Sequence, residues 1–149
     1  MRIGIISDTH GLLREEVVKN LEGCDYIIHA GDVGSIDIVD KLNKIAKTFI
    51  VKGNIDKTGE LKKLPEYREI EMDETLIYLT HNKEDIPEEL REIDMVIYGH
   101  SHKYSEEKRE GIIYLNPGSC GKKRFSLPLT MAIASINLGE IEIEKIDIN

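Results

Sequence analysis

RIGIISDTHGLLREEVVKNLEGCDYIIHAGDVGSIDIVDKLNKIAKTFIVKGNID, residues 2–56, alternates short β-branched runs with segments of helical periodicity. Residues 2–7 (RIGIIS) have the apolar density of a buried strand. Residues 13–21 set Leu13, Val17, Val18 and Leu21 at helical spacing, and Gly23 supplies a stop. Residues 26–30 (YIIHA) read as a second strand. Residues 36–46 carry Ile36, Val39, Leu42, Asn43 and Ala46 at helical intervals behind Ser35, a good N-cap, and residues 47–52 follow as a third strand. This β-α-β-α-β order predicts parallel strands with right-handed crossovers. The loops leaving the three strands then emerge along one sheet edge.

Beyond Pro65 the pattern turns to strand pairs. Residues 67–72 and 75–80 are joined by Asp73-Glu74, a connection of hairpin length. Asp85-Ile86-Pro87 predicts a short helix to about Glu92, and residues 95–98 another strand. Residues 104–109, 112–115, 130–137 and 141–148 alternate as strands of a second, mostly antiparallel sheet. The strands after Met95 have no helices of their own, so two sheets with helices outside them is the economical α/β arrangement. No repeat or linker interrupts residues 1–149, which are expected to form a single domain.

With 28 acidic against 20 basic residues, the net charge of -8 disfavours duplex nucleic acid as a partner. A phosphate ligand stays open, because divalent cations in a cleft reverse the local field. Cys24 and Cys120 lack CxxC spacing and read as reduced thiols of a cytoplasmic protein. The N-terminal apolar run is shorter than a signal peptide's, and no run reaches the roughly 18 to 20 apolar residues of a membrane span.

Chemistry gathers immediately after the apolar strands: Asp8 and His10 in SDTH, Asp32 in GD, Asn54 and Asp56 in GNID, His81 in LTH, and His100 and His102 in GHSH. Any one of these is ordinarily a turn. Structural turns, however, have no need of imidazole, and four of the five histidines occupy these positions. Imidazoles, carboxylates and one amide oxygen suit manganese, iron, zinc, nickel or cobalt. Asp56 aside, seven such side chains exceed the needs of one ion and would satisfy two that share a carboxylate, roughly 3.5 to 4 Å apart.

In that order, SDTH, GD, GN, a strand-terminal His and GHSH resemble the signature of the calcineurin-like metallophosphoesterase superfamily. With Asn116-Pro117-Gly118-Ser119 after GHSH, the short form is similar to its small YfcE-like phosphodiesterase group. The resemblance runs from Arg2 to Ser119 and implies a four-layer α/β/β/α sandwich with two mixed sheets, the metallophosphoesterase fold. It implies that Asp8, His10, Asp32 and His102 hold one divalent ion, manganese first, and that Asp32, Asn54, His81 and His100 hold the other. Asp32 would bridge. The expected activity is hydrolysis of small phosphodiesters by a metal-bridging hydroxide, with Asp32, Asn54 and His81 as catalytic residues and the Asn54 amide reaching the phosphate. A phosphomonoesterase or nucleotidase of the same fold is the alternative within the class. A scaffold without turnover, like the family's retromer-associated member, is the alternative outside it.

Two departures matter. Ile55 stands where many larger members carry a His that protonates the leaving group, and His81-Asn82-Lys83 replaces the common HGH. Lys83 reads as a solvated lysine or a phosphate contact. His29 reads equally as a packed strand residue or a hydrogen-bond partner of a ligand, and Asp56 as a partner of a metal-bound imidazole or a turn carboxylate. NPGS is most simply a tight turn. Specificity is expected from the rim at residues 56–64, 82–87 and 122–128. The alternating isoleucines of residues 141–148 suggest either a β-edge homodimer or packing on the chain's own core.

Overall fold

The computed structural model describes residues 1–124 and 126–149; Phe125, within the 122–128 rim, lies outside them. The first half folds as its periodicity predicts: β1 (Arg2–Ile6), α1 (Glu15–Leu21), β2 (Tyr26–His29), α2 (Ile36–Ile45) and β3 (Lys47–Ile50). The three strands are parallel and adjacent. Ser35 caps α2 by accepting the Asp37 N–H at 3.3 Å. The buried stripe of α2 runs through Ile38 and Leu42 with Ile45 beside them, whereas Ile36 is exposed. Helix α1 begins two residues later than expected, with Arg14 extended at its N-cap and Glu15 and Glu16 in the first turn, where carboxylates offset the helix dipole. Gly4 lets α1 sit close on β1, since a Cβ there would fall 2.3 Å from Leu21 Cδ2.

The second half contains β4 (Tyr67–Met72), β5 (Thr75–Thr80), β6 (Met95–Ile97), β7 (Ser105–Arg109), β8 (Ile112–Asn116), β9 (Leu129–Asn137) and β10 (Glu140–Ile148). The Asp73-Glu74 hairpin forms as expected, with both residues at positive φ (43° and 62°), as a two-residue turn matched to strand twist demands. Two expectations are corrected. No helix spans 85–92: a 3-10 turn over Lys83–Asp85 ends at Ile86, held extended ahead of Pro87, and the few residues from Pro87 to Glu92, the last at positive φ, are too short a run to repay helix nucleation. Nor do β9 and β10 join the second sheet. They extend the first, giving β10-β9-β1-β2-β3, while β4-β5-β6-β8-β7 forms the other. The physical reason is that β9 is apolar on both faces, as a central strand must be. Ala132, Ala134 and Ile136 face the space between the sheets, and Leu129, Met131 and Ile133 face the helices.

Both sheets are therefore mixed. Among the described residues three apolar clusters separate four layers: one between helices and first sheet, one between the sheets, and one on the outer face of the second sheet. That outer face (Tyr78, Val96, Tyr98) is covered by Ile86, Leu90 and Ile93 of the irregular segment, which stands where an α-helix was expected. The β10 isoleucines divide between faces, Ile141 and Ile143 inward between the sheets and Ile146 and Ile148 toward the helices. The chain's own cores thus account for all four. No helix among the described residues is long and apolar enough to cross a membrane.

Candidate metal centre

The strand-end residues converge as the topology requires. Five of them, Asp8, His10, Asp32, His100 and His102, sit at positive φ between 48° and 75°. A non-glycine residue there costs on the order of 1 kcal/mol or more, so the surrounding structure must hold it. Backbone bonds between the first two loops do so: Asp8 N–H to Gly31 O at 3.0 Å, His10 N–H to Asp32 O at 2.9 Å and Gly11 N–H to Val33 O at 2.8 Å.

Asp8 is fully buried. Its Oδ2 accepts from Ser7 Oγ–H at 2.6 Å and from the His100 N–H at 3.1 Å, which fixes the carboxylate plane. Its Oδ1 accepts no hydrogen bond and faces His102 Nε2 at 3.4 Å and His10 Nε2 at 3.6 Å. His10 Nε2 is likewise without a hydrogen bond, although Asp32 Oδ2 lies 3.3 Å away. Ligand-type atoms thus point into one gap without bonding one another. Among the described residues Asp8, His10 and His102 offer donor atoms all within 4.8 Å, and so do Asp8, Asp32 and His81.

Asp32 Oδ2 lies between the groups, 3.3 Å from both His10 Nε2 and His81 Nε2. The Asp32 carboxylate is steered by the Ile55 N–H on Oδ1 at 3.0 Å. Gly31 and Gly53 have steric reasons to be glycine: a Cβ would lie 2.7 Å from His81 Nδ1 at the first and 2.1 Å from Asp32 Oδ1 at the second. His81 donates Nδ1–H to Ala30 O at 2.7 Å, directing Nε2 into the site. Asn54 reaches the same point, its amide 3.0 Å from His81 Nε2. Turned oxygen-first the amide offers a ligand, and turned nitrogen-first it donates to Asp32 at 3.1 and 3.2 Å. His100 stands apart from both groups: it is exposed, with its ring edge-on to His81 at 5.2 Å.

The charges follow from this packing. The Asp8 carboxylate beside it, with Asp32 adding to the effect, raises the His10 pKa above its ordinary value against the opposing effect of burial. Burial would lower His81, but the Asp32 contact, the Asp8 charge and the Ala30 carbonyl together outweigh it and the net shift is upward. Burial likewise works to raise Asp32, yet the His81 contact, the Ile55 N–H and His10 bring it down to about 2. His102 is lowered, first by burial, with His10 and Arg124 adding repulsion.

His29 and Asp56 contact no candidate ligand side chain in the described hydrogen bonds. Gly31 N–H donates to His29 Nδ1 at 3.0 Å, so Nε2 carries the proton toward Thr9 Oγ1, and Thr9 donates to Val33 O. Asp56 is fully buried and accepts the N–H groups of Val33, Gly34 and Gly53 at 2.9–3.1 Å, tying the GD loop to the GN loop. Both residues position the site from behind. Asn116 donates to Gly99 O and Ser101 Oγ, so NPGS organises the GHSH loop as well as turning. Ser7, Thr9 and Ser119, the last donating to Asp8 O at 3.0 Å, were not singled out in the sequence. Their membership of SDTH and NPGS was the available signal. Lys83 is exposed, and Ile55 contributes its N–H while its side chain carries no acid.

The donor set fits divalent cations, on the convergent carboxylate and imidazole atoms and the unbonded Asp8 Oδ1 and His10 Nε2. The chain belongs to the calcineurin-like phosphoesterase superfamily, whose domain model matches residues 1–139. Its relatives include a phosphodiesterase of Methanocaldococcus jannaschii, 30% identical over 142 residues that cover 80% of this chain and 84% of that one. Among solved structures, YfcE, a phosphoesterase from Escherichia coli, superposes with a TM-score of 0.72 at 25% identity over the whole of both chains. A single mutant of Vps29 from Entamoeba histolytica gives 0.78 at 23% identity, also over both whole chains, a likeness of fold.

Proposed function

We propose that this protein hydrolyses small phosphodiesters with two divalent cations held by Asp8, His10, Asp32, Asn54, His81, His100 and His102, manganese being the first choice. The observation that carries the reading is Asp32 Oδ2, placed 3.3 Å from an imidazole of each ligand group. Bound divalent ions supply an acidified water nucleophile and neutralise the phosphoryl oxygens. The chain's own work is orientation. Ser7, the His100 N–H and the Ile55 N–H hold the two carboxylates in fixed planes, and Ala30 O fixes the His81 tautomer. Asn54 either ligates through oxygen or presents its NH2 to the phosphate.

The position next to Asn54, where an acid would face the leaving oxygen, holds Ile55, which has no proton to give. The reading therefore favours substrates whose leaving group departs as a stable anion. The organic part fits a cavity of about 630 Å³ beside Asn54 and His81, walled by Tyr67 and Tyr78 stacked 5.7 Å apart. The test is turnover of bis(p-nitrophenyl) phosphate with added manganese. Release of p-nitrophenol that disappears in Asp32→Asn supports the reading. Hydrolysis of monoesters alone would replace it with a phosphomonoesterase, and inertness toward every ester with metal bound would favour a scaffold.

A further inference from the structure

The site opens to two sides of opposite character. The larger cavity, beside His81, has Glu66 and Asp85 among its walls. The other, about 420 Å³, lies on the His10 and His102 side, and its wall includes three consecutive cations, Lys122, Lys123 and Arg124. In a chain of net charge -8, three adjacent positive charges over a metal-type site are a local reversal of the field. The cations are exposed, but the chain leading into them is held in place. Immediately before them Cys120 N–H donates to Ser7 O at 3.3 Å, and Arg14 Nε–H donates to Gly121 O at 2.9 Å. Gly121 lies so close to the SDTH loop that a Cβ on it would meet Thr9 O at 2.0 Å. The segment that carries the cations is therefore fastened to the loop that carries Asp8 and His10.

We infer that Lys122, Lys123 and Arg124 form a subsite for a second anionic group, so that the preferred substrate is a nucleotide-like phosphodiester bearing an additional phosphate. The inference rests on the proposed phosphodiester reading and names its substrate class. Glu66 and Asp85 repel such a group from the opposite side, which leaves one orientation: uncharged organic part toward Tyr67, extra phosphate toward the cations. Arg provides a planar fork for phosphate oxygens and the lysines provide mobile point charges.

The test is calorimetric titration of the manganese-loaded protein with thymidine 3′,5′-bisphosphate and with thymidine 5′-phosphate. The bisphosphate is expected to bind at least about ten-fold tighter, the gain weakening with salt because it is electrostatic. In K122A/K123A/R124A the two affinities should come within about two-fold of each other. Equal affinities in the natural protein, or a preference that survives the triple substitution, overturn the subsite. Circular dichroism melting of the variant establishes that it is folded, and K122E/K123E, which should reverse the preference, gives an independent reading. Turnover of thymidine 5′-(p-nitrophenyl phosphate) is scored separately. Binding discrimination without turnover would retain the subsite and overturn the hydrolase reading; turnover without discrimination would do the reverse.

Discussion

His29 Nε2 lies 3.0 Å from Thr9 Oγ1, inside the angle between the SDTH loop and the GD loop. With the Gly31 N–H on its Nδ1, this fully buried imidazole is saturated as a neutral ring. A proton on Nδ1 would have to displace the Gly31 N–H.

Stability should therefore depend on pH through His29. Burial lowers its pKa to about 4 from the ordinary 6.5. The unfolded chain then binds the proton between these values and the folded chain does not. The neutral-ring contribution is fully present above about pH 6.5 and is lost as pH falls toward 4, amounting to about 3 kcal/mol at the lower end. Urea melts of the metal-free protein at pH 7, 5.5 and 4 measure it. His29→Gln should be less stable at pH 7 and show a flatter slope across this window; an unchanged slope contradicts the assignment.

Asp56 gathers three N–H groups from two loops. In Asp56→Asn one carboxylate oxygen becomes an NH2 that confronts these donors. The expected loss is about 2 to 3 kcal/mol of stability, seen by urea denaturation. Metal affinity should fall roughly 10- to 100-fold, as for other residues that orient ligands, seen by competition with a fluorescent chelator. Stability lost with full metal affinity retained would mean that Asp56 serves the fold alone.

Gly53→Ala should damage the site through shape, because its Cβ would enter the space of Asp32 Oδ1. A carboxylate moved by about 1 Å is expected to lower kcat/KM by roughly 100-fold. Gly111→Ala is the control. Its φ of 82° makes alanine strained, but open space surrounds it, so it should lose about 1 kcal/mol of stability and no activity. Equal kinetic effects from both would remove the steric argument.

Without a protein acid beside Asn54, rate should track the leaving group. Across aryl methyl phosphates, log kcat/KM should fall steeply as the phenol pKa rises from about 7 to 10. A flat series would show that some residue or ordered water donates the proton.

The first three strands were legible in residues 2–56 because β-branched runs and helical periodicity alternate there without ambiguity. The convergence of Asp8, His10, Asp32, His81 and His102 followed from topology, since each lies beyond the C-terminal end of a parallel strand, β1 and β2 in the first sheet and β5 and β6 in the second. Strand partnership was less legible. Residues 130–137 alternate, which says that a strand forms but not which sheet receives it; the apolar character of both faces of β9 was the missed clue. The helix expected at 85–92 came from Pro87 as a start signal, but the run to Glu92 is too short to hold a helix, and Ile86, Leu90 and Ile93 pack on the second sheet without one. The roles of Asp56 and His29 were invisible for another reason: they depend on contacts 20 to 23 residues away, with the Thr9 hydroxyl for His29 and the Val33 and Gly34 N–H groups for Asp56, which no local pattern encodes.

Elemental analysis after manganese loading and gel filtration, run on the natural protein and on Asp32→Asn, bears most directly on the paired-cation centre. Two manganese ions per chain in the first, falling to one or none in the second together with loss of diester turnover, is the expected result. A stoichiometry of one that Asp32→Asn leaves unchanged would contradict a centre in which Asp32 serves both ions.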